Sequence, residues 1–97
     1  MAIAMLVEVP GMTQEQYEAP AAEINKDGPR VGGAFLHAAG PMEGGCRIIE
    51  VWESQEIADA FYGSQRFLQV AARMTQRPKT TSWPLYALDG SGLKQPG

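Results

Sequence analysis

The stretch FLHAAGPMEGGCRIIEVWES, residues 35–54, constrains the fold more than any other part of the chain. Two runs rich in β-prone residues, VGGAFLHAA (31–39) and CRIIEVWES (46–54), flank a connection, GPMEGG, built of turn formers. Such a pattern predicts an antiparallel hairpin. Along the second run, one alternating set is Cys46, Ile48, Glu50 and Trp52, and the other is Arg47, Ile49, Val51 and Glu53. Side chains alternate between faces with period two, so both faces of this strand carry apolar residues. The sheet built on this hairpin must therefore be covered on both sides.

The flanking segments supply helices for one side only. IAMLVEV (3–9) predicts a first strand, closed by Pro10-Gly11. In MTQEQY, Thr13 and Gln16 form a capping box, and Met12 and Tyr17 occupy the two staple positions of the same helix start. Pro20 removes an interior hydrogen bond and predicts a kink or restart, with an end at KDGP and Gly28 as the cap. Ser54 is placed to cap a short helix through QEIADAFY; Gly63-Ser64 interrupts it and Ser64 opens another turn of helix. Phe67, Ala71 and Met74, flanked by Leu68 and Ala72, form that segment's apolar stripe. TTSWPLYAL (80–88) predicts a fourth strand, and Pro84 restricts it to a sheet edge or a bulge.

The order β-α-β-β-α-β predicts an α+β, ferredoxin-like domain over residues 1–88, with 89–97 as a flexible tail. Helices cover one face of its antiparallel sheet. The apolar second face predicts a homodimer, and at least one of Trp83 and Tyr86, on opposite faces of the fourth strand, belongs at its seam.

Composition excludes several classes of function. A chain of 97 residues builds one small domain, for which dimerisation adds burial. A net charge of −3 argues against nucleic acid and against anionic membrane surfaces as partners. The basic cluster Arg66, Arg73, Arg77 and Lys79 reads as a solvated helix face, with a phosphate site as the alternative. The opening MAIAMLVEV has neither a basic n-region nor the length to span a membrane, so a cytoplasmic protein is expected. One cysteine, Cys46, and one histidine, His37, exclude an internal disulfide and the common zinc ligand sets. No Gly-x-Gly-x-x-Gly or Gly-Lys-Ser/Thr phosphate loop is present.

The candidate chemistry sits in the hairpin. If Ala39 pairs with Cys46, then His37 faces Ile48, Phe35 faces Glu50 and Gly33 faces Trp52. His37 and Glu50 would then be diagonal neighbours on one face, ~7–8 Å apart at the backbone. A slip of one residue would send His37 to the other face. A carboxylate beside an imidazole in an apolar pocket is a proton-transfer pair, with His37 as acid/base and Glu50 as its partner. A structural hydrogen-bonded pair, or a solvent-facing histidine at a strand end, is the plainer alternative. Trp52, Phe35, Tyr17, Phe61 and Tyr62 are the expected substrate-binding residues, and Tyr17 also has its plainer role as the helix-entry clamp.

The segments VPGMTQEQYE, HAAGPMEGG and VWESQEIADAFYGSQRF resemble the dimeric α+β barrel superfamily, nearest to its antibiotic-biosynthesis-monooxygenase-like families. The resemblance spans residues 2 to about 88, and the VWES junction is its most specific part. It implies that two chains pack their sheets into a barrel and that each keeps a pocket between sheet and helices, on the Trp52 side. In the cofactor-free anthrone monooxygenases of that group, an Asn precedes the motif Trp by four residues and a Tyr follows it by six. Here those positions hold Ile48 and Ala58. In the haem-degrading branch, a second Trp follows by nine and a haem-ligand His by nineteen; here they are Phe61 and Ala71. No cofactor is expected. The resemblance implies a hydrophobic or aromatic small molecule as ligand and a monooxygenase-like reaction, whereas the His37–Glu50 pair better suits a cyclase/isomerase-like proton transfer. A non-catalytic dimeric module with a filled core is the alternative.

Overall fold

A computed structural model describes residues 1–24 and 34–89. Its elements are β1 (Ile3–Pro10), α1 (Gln14–Ile24), β2 (Ala34–Met42), β3 (Gly45–Trp52), α2 (Gln55–Tyr62), α3 (Gln65–Ala71) and β4 (Lys79–Pro84). The four strands form one antiparallel sheet in the order β2-β3-β1-β4. This is the expected ferredoxin-like α+β plan. The expected Gly28 cap and almost all of the expected tail lie outside the described residues.

Local chemistry sets the helix starts. The Gln16 backbone N–H donates to Thr13 Oγ1 at 3.2 Å, and the Thr13 N–H donates to Gln16 Oε1 at 3.0 Å. The capping box is thus closed in both directions. Ser54 and Ser64 accept from the Ile57 and Phe67 N–H groups and cap α2 and α3. Pro20 lies inside α1, six residues past its first residue Gln14, and the helix runs on to Ile24. The stripe of α3 differs from expectation: Val70 is buried, Leu68 is 54% exposed, and Met74 packs from beyond the helix end.

The sheet face under the helices carries the core. Ile3, Met5, Val7 and Val9 of β1 pack with Cys46 and Trp52 of β3, Met12, Ala34 and Ala58. Trp52 is 2% exposed, and truncating a side chain of this size in a core costs about 3–5 kcal/mol. On the opposite face, Ile49 and Trp83 remain 47% and 45% exposed. Pro84 ends β4, an edge strand, where its missing N–H breaks no inner ladder.

The hairpin corrects the expected register. Met42 pairs with Gly45, Pro41 with Cys46, Ala39 with Ile48 and His37 with Glu50. β2 runs three residues and β3 one residue further into GPMEGG than expected, leaving Glu43 and Gly44 as the turn. Gly44 adopts φ 76°, a conformation glycine takes without a Cβ penalty. A β-bulge between Ala34 and Leu36 shifts the ladder, so that Ala34 pairs with Trp52. The expected Gly33 partner of Trp52 lies outside the described residues. The shift from Ala39 to Pro41 opposite Cys46 is two residues, and an even shift preserves faces. His37 and Glu50 therefore share a face, directly opposite each other rather than diagonal.

Candidate active site

Four elements converge on Glu50. β3 places Glu50 and Trp52 two residues apart, hence on the same face. β2 sets His37 across the ladder from Glu50. The capping box fixes the entry of α1, whose first turn carries Tyr17, and Tyr62 closes α2. The Tyr17 hydroxyl lies 2.7 Å from His37 Nε2, and His37 Nδ1 lies 2.7 Å from Glu50 Oε2. The other carboxylate oxygen, Oε1, accepts from the Trp52 indole N–H at 2.9 Å and from the Tyr62 hydroxyl. Among the described residues, no buried polar side-chain atom lacks a partner.

The electrostatics follow from this wiring. Glu50 is only 3% exposed. Burial alone pushes its carboxyl up; the hydrogen bonds from His37, Tyr62 and Trp52, with the attraction of His37, outweigh burial and hold it below the usual glutamate value. Burial, then the Glu50 charge and hydrogen bond, then Tyr17, push the Tyr62 phenol far above its usual range. Tyr62 therefore keeps its proton and donates. An ionised carboxylate only accepts, so a neutral His37 carries its hydrogen on Nδ1 and presents Nε2 as the acceptor of the Tyr17 hydroxyl.

This line of polar groups ends in a cavity of about 210 Å³ between the sheet and the helices. Val7, Val9 and Ile48 form its floor, Tyr17, Pro20 and Ala21 one wall, and Phe61, Tyr62, Phe67 and Met74 another. His37, Glu50 and Trp52 also border it. The aromatic wall is mutually packed: Tyr62 meets Phe61 and Phe67 edge-on, with ring centroids 5.1 and 4.8 Å apart. Trp52 lies 5.3 Å from Phe61.

Of the sequence-expected residues, Tyr17, His37, Glu50, Trp52, Phe61 and Tyr62 meet at this cavity. Phe35 does not. It shares parity with His37, but it falls in the bulge, is half-buried and is not among the cavity's lining residues. None of Arg66, Arg73, Arg77 and Lys79 lines the cavity either. Residue patterns did not connect the hydroxyls of Tyr17 and Tyr62 to the His37–Glu50 pair. Those contacts depend on how the helices lie over the sheet. Among the described residues, no three His, Cys, Asp or Glu side chains gather as a metal-ligand group. No helix among them is long and apolar enough to cross a membrane.

No family model matches the sequence, and no curated protein matches it. Solved structures do match. Rv0793 from Mycobacterium tuberculosis superposes with a TM-score of 0.68 at 17% identity, covering 94% of this chain and 99% of that one. SnoaB, a cofactor-independent oxygenase from Streptomyces nogalater, gives 0.65 at 12% identity, over 90% and 95%. A Chloroflexus aurantiacus protein, provisionally named an antibiotic biosynthesis monooxygenase, gives 0.59 at 18%, over 93% and 99%. The chain has the antibiotic-biosynthesis-monooxygenase-like α+β fold. Within this fold, the two positions where resemblance leads to Asn and Tyr hold side chains with no polar group: Ile48 borders the cavity and Ala58 is fully buried. The polar groups of this pocket are instead Glu50 and Trp52 of β3, His37 of β2, Tyr17 of α1 and Tyr62 at the end of α2.

Proposed function

We propose that the chain is a homodimeric enzyme that transfers a proton on a small apolar or aromatic molecule bound between sheet and helices. The observation that carries this reading is the continuous hydrogen-bonded line Tyr17–His37–Glu50, which opens onto an apolar cavity. Glu50 orients His37, and His37 with Tyr17 accepts or returns the proton at the cavity. A neutral, apolar ligand suits such a lining, because the one fixed charge among its described residues, the Glu50 carboxylate, is buried and already bonded to His37, Trp52 and Tyr62.

Supporting the same reading, the cavity is not filled by Phe35, Trp52, Phe61 and Phe67, as an interaction module with a solid core would require. SnoaB, which shares the fold, is an oxygenase that works without a cofactor. Deprotonation of an acidic C–H or O–H yields an electron-rich anion, which can rearrange, cyclise or meet dioxygen. Proton transfer is thus the step common to the isomerase-like and oxygenase-like reactions.

A thermal-shift screen of aromatic and polyketide-like compounds tests the binding half of the proposal. A specific ligand present at 100 times its Kd stabilises the fold by about 2.7 kcal/mol. Hits confined to apolar and aromatic compounds are expected; a screen of that set without a single shift contradicts the reading.

A further inference from the structure

We propose that Tyr62 and Trp52 are positioning residues that act through Glu50 to fix the tautomer of His37. The proposal rests on the proton-transfer reading of the pocket and assigns the residues that set the direction of its relay. Both donors converge on one carboxylate oxygen, Oε1, and leave Oε2 to His37. A carboxylate with two equivalent oxygens can rotate and offer either one; two donors pinned to Oε1 remove that freedom. The donors are themselves held. Trp52 is 2% exposed in the sheet, and Tyr62 is wedged between Phe61 and Phe67. Each aromatic donor has few rotors, so ordering it loses little entropy.

The consequence appears two bonds further along. A carboxylate fixed and ionised at Oε2 demands a hydrogen on His37 Nδ1 and so leaves Nε2 as the acceptor facing Tyr17. If Glu50 turned or took up a proton, the hydrogen on His37 could move to Nε2. Tyr17 would then no longer find an acceptor in His37 Nε2. Because Tyr62 is held protonated, it anchors Glu50 without joining the transfer.

His37 is the chain's one histidine, so ring-¹⁵N-labelled histidine gives signals from a single imidazole in the intact protein. Wild type is expected to show the Nδ1–H tautomer. Tyr62→Phe removes one oxygen and keeps the ring packing. It should shift the tautomer ratio measurably toward Nε2–H, because one of the two donors that pin Oε1 is then gone. Trp52→Phe should shift it in the same direction and serves as the second variant if Tyr62→Phe does not fold. A merely structural role for these side chains would lower thermal stability and leave the tautomer unchanged. A folded Tyr62→Phe protein, or failing that Trp52→Phe, with the wild-type ratio overturns the positioning proposal and leaves the relay standing. An Nε2–H tautomer in wild type overturns both.

Discussion

At the scale of single residues, one buried carboxylate organises the pocket. Glu50 accepts from Trp52 and Tyr62 through Oε1 and from His37, across the ladder, through Oε2. Its native carboxyl lies below the unfolded value, so its ionisation favours the fold. That contribution is complete above the unfolded glutamate value, about pH 4.3, and is lost as pH falls through the native one. Thermal melts between about pH 3 and 6 should therefore show a steeper acid loss of Tm in wild type than in Glu50→Gln; equal slopes would place the acid sensitivity elsewhere. His37, Glu50 and Trp52 were legible as a set from their spacing alone. Strand parity needs only odd or even positions, and it survived a register error of two residues. Phe35 falls outside this set for the complementary reason: a bulge breaks parity, and no residue in AFLHA marks one.

At the scale of elements, the site depends on how firmly α1 is held over the sheet. Its capping box is the local feature that positions Tyr17. Thr13→Ala should cost about 1 kcal/mol, hence about 4–8 °C in Tm for a domain of this size. The same change should weaken binding of any ligand found for the cavity, because Tyr17 forms part of its wall. A melt unchanged within about 1 °C would show that α1 is anchored by packing alone. The β2–β3 turn is equally constrained. A Cβ on Gly45 would clash with the Val9 carbonyl oxygen and lie 2.9 Å from Pro10 Cα, both backbone atoms. Gly45→Ala should therefore be more destabilising than Thr13→Ala by the same melts. Caps and turns were legible because their chemistry is local. The Tyr17 and Tyr62 hydroxyl contacts were not, because they arise from helix placement across 20 and 12 residues of chain.

At the scale of the whole molecule, the helices among the described residues cover one face of the sheet and leave the other. The second face carries Leu6, Leu36, Ile49, Val51 and Trp83, aligned by the β1–β3, β2–β3 and β1–β4 pairings. Burial of such a face against a second copy is the proposed homodimer. Sedimentation should give twice the chain mass of 10.5 kDa, and Ile49→Lys should drive the population toward monomer. A monomer at all concentrations up to about 100 μM would remove the second copy from the account, since such an interface would be weaker than about −5.5 kcal/mol. The fold itself was legible from element order and from VWES, while the residues at the pocket's polar end depart from the pattern that accompanies this fold.

The claim that joins these scales is that His37 moves a proton for a molecule held in the cavity. Turnover of a ligand from the thermal-shift screen, compared between wild type and His37→Ala, tests it most directly. The account predicts a fall in kcat of about 10²–10⁴-fold while the ligand still stabilises the folded variant. Unchanged turnover by a folded His37→Ala protein would contradict it.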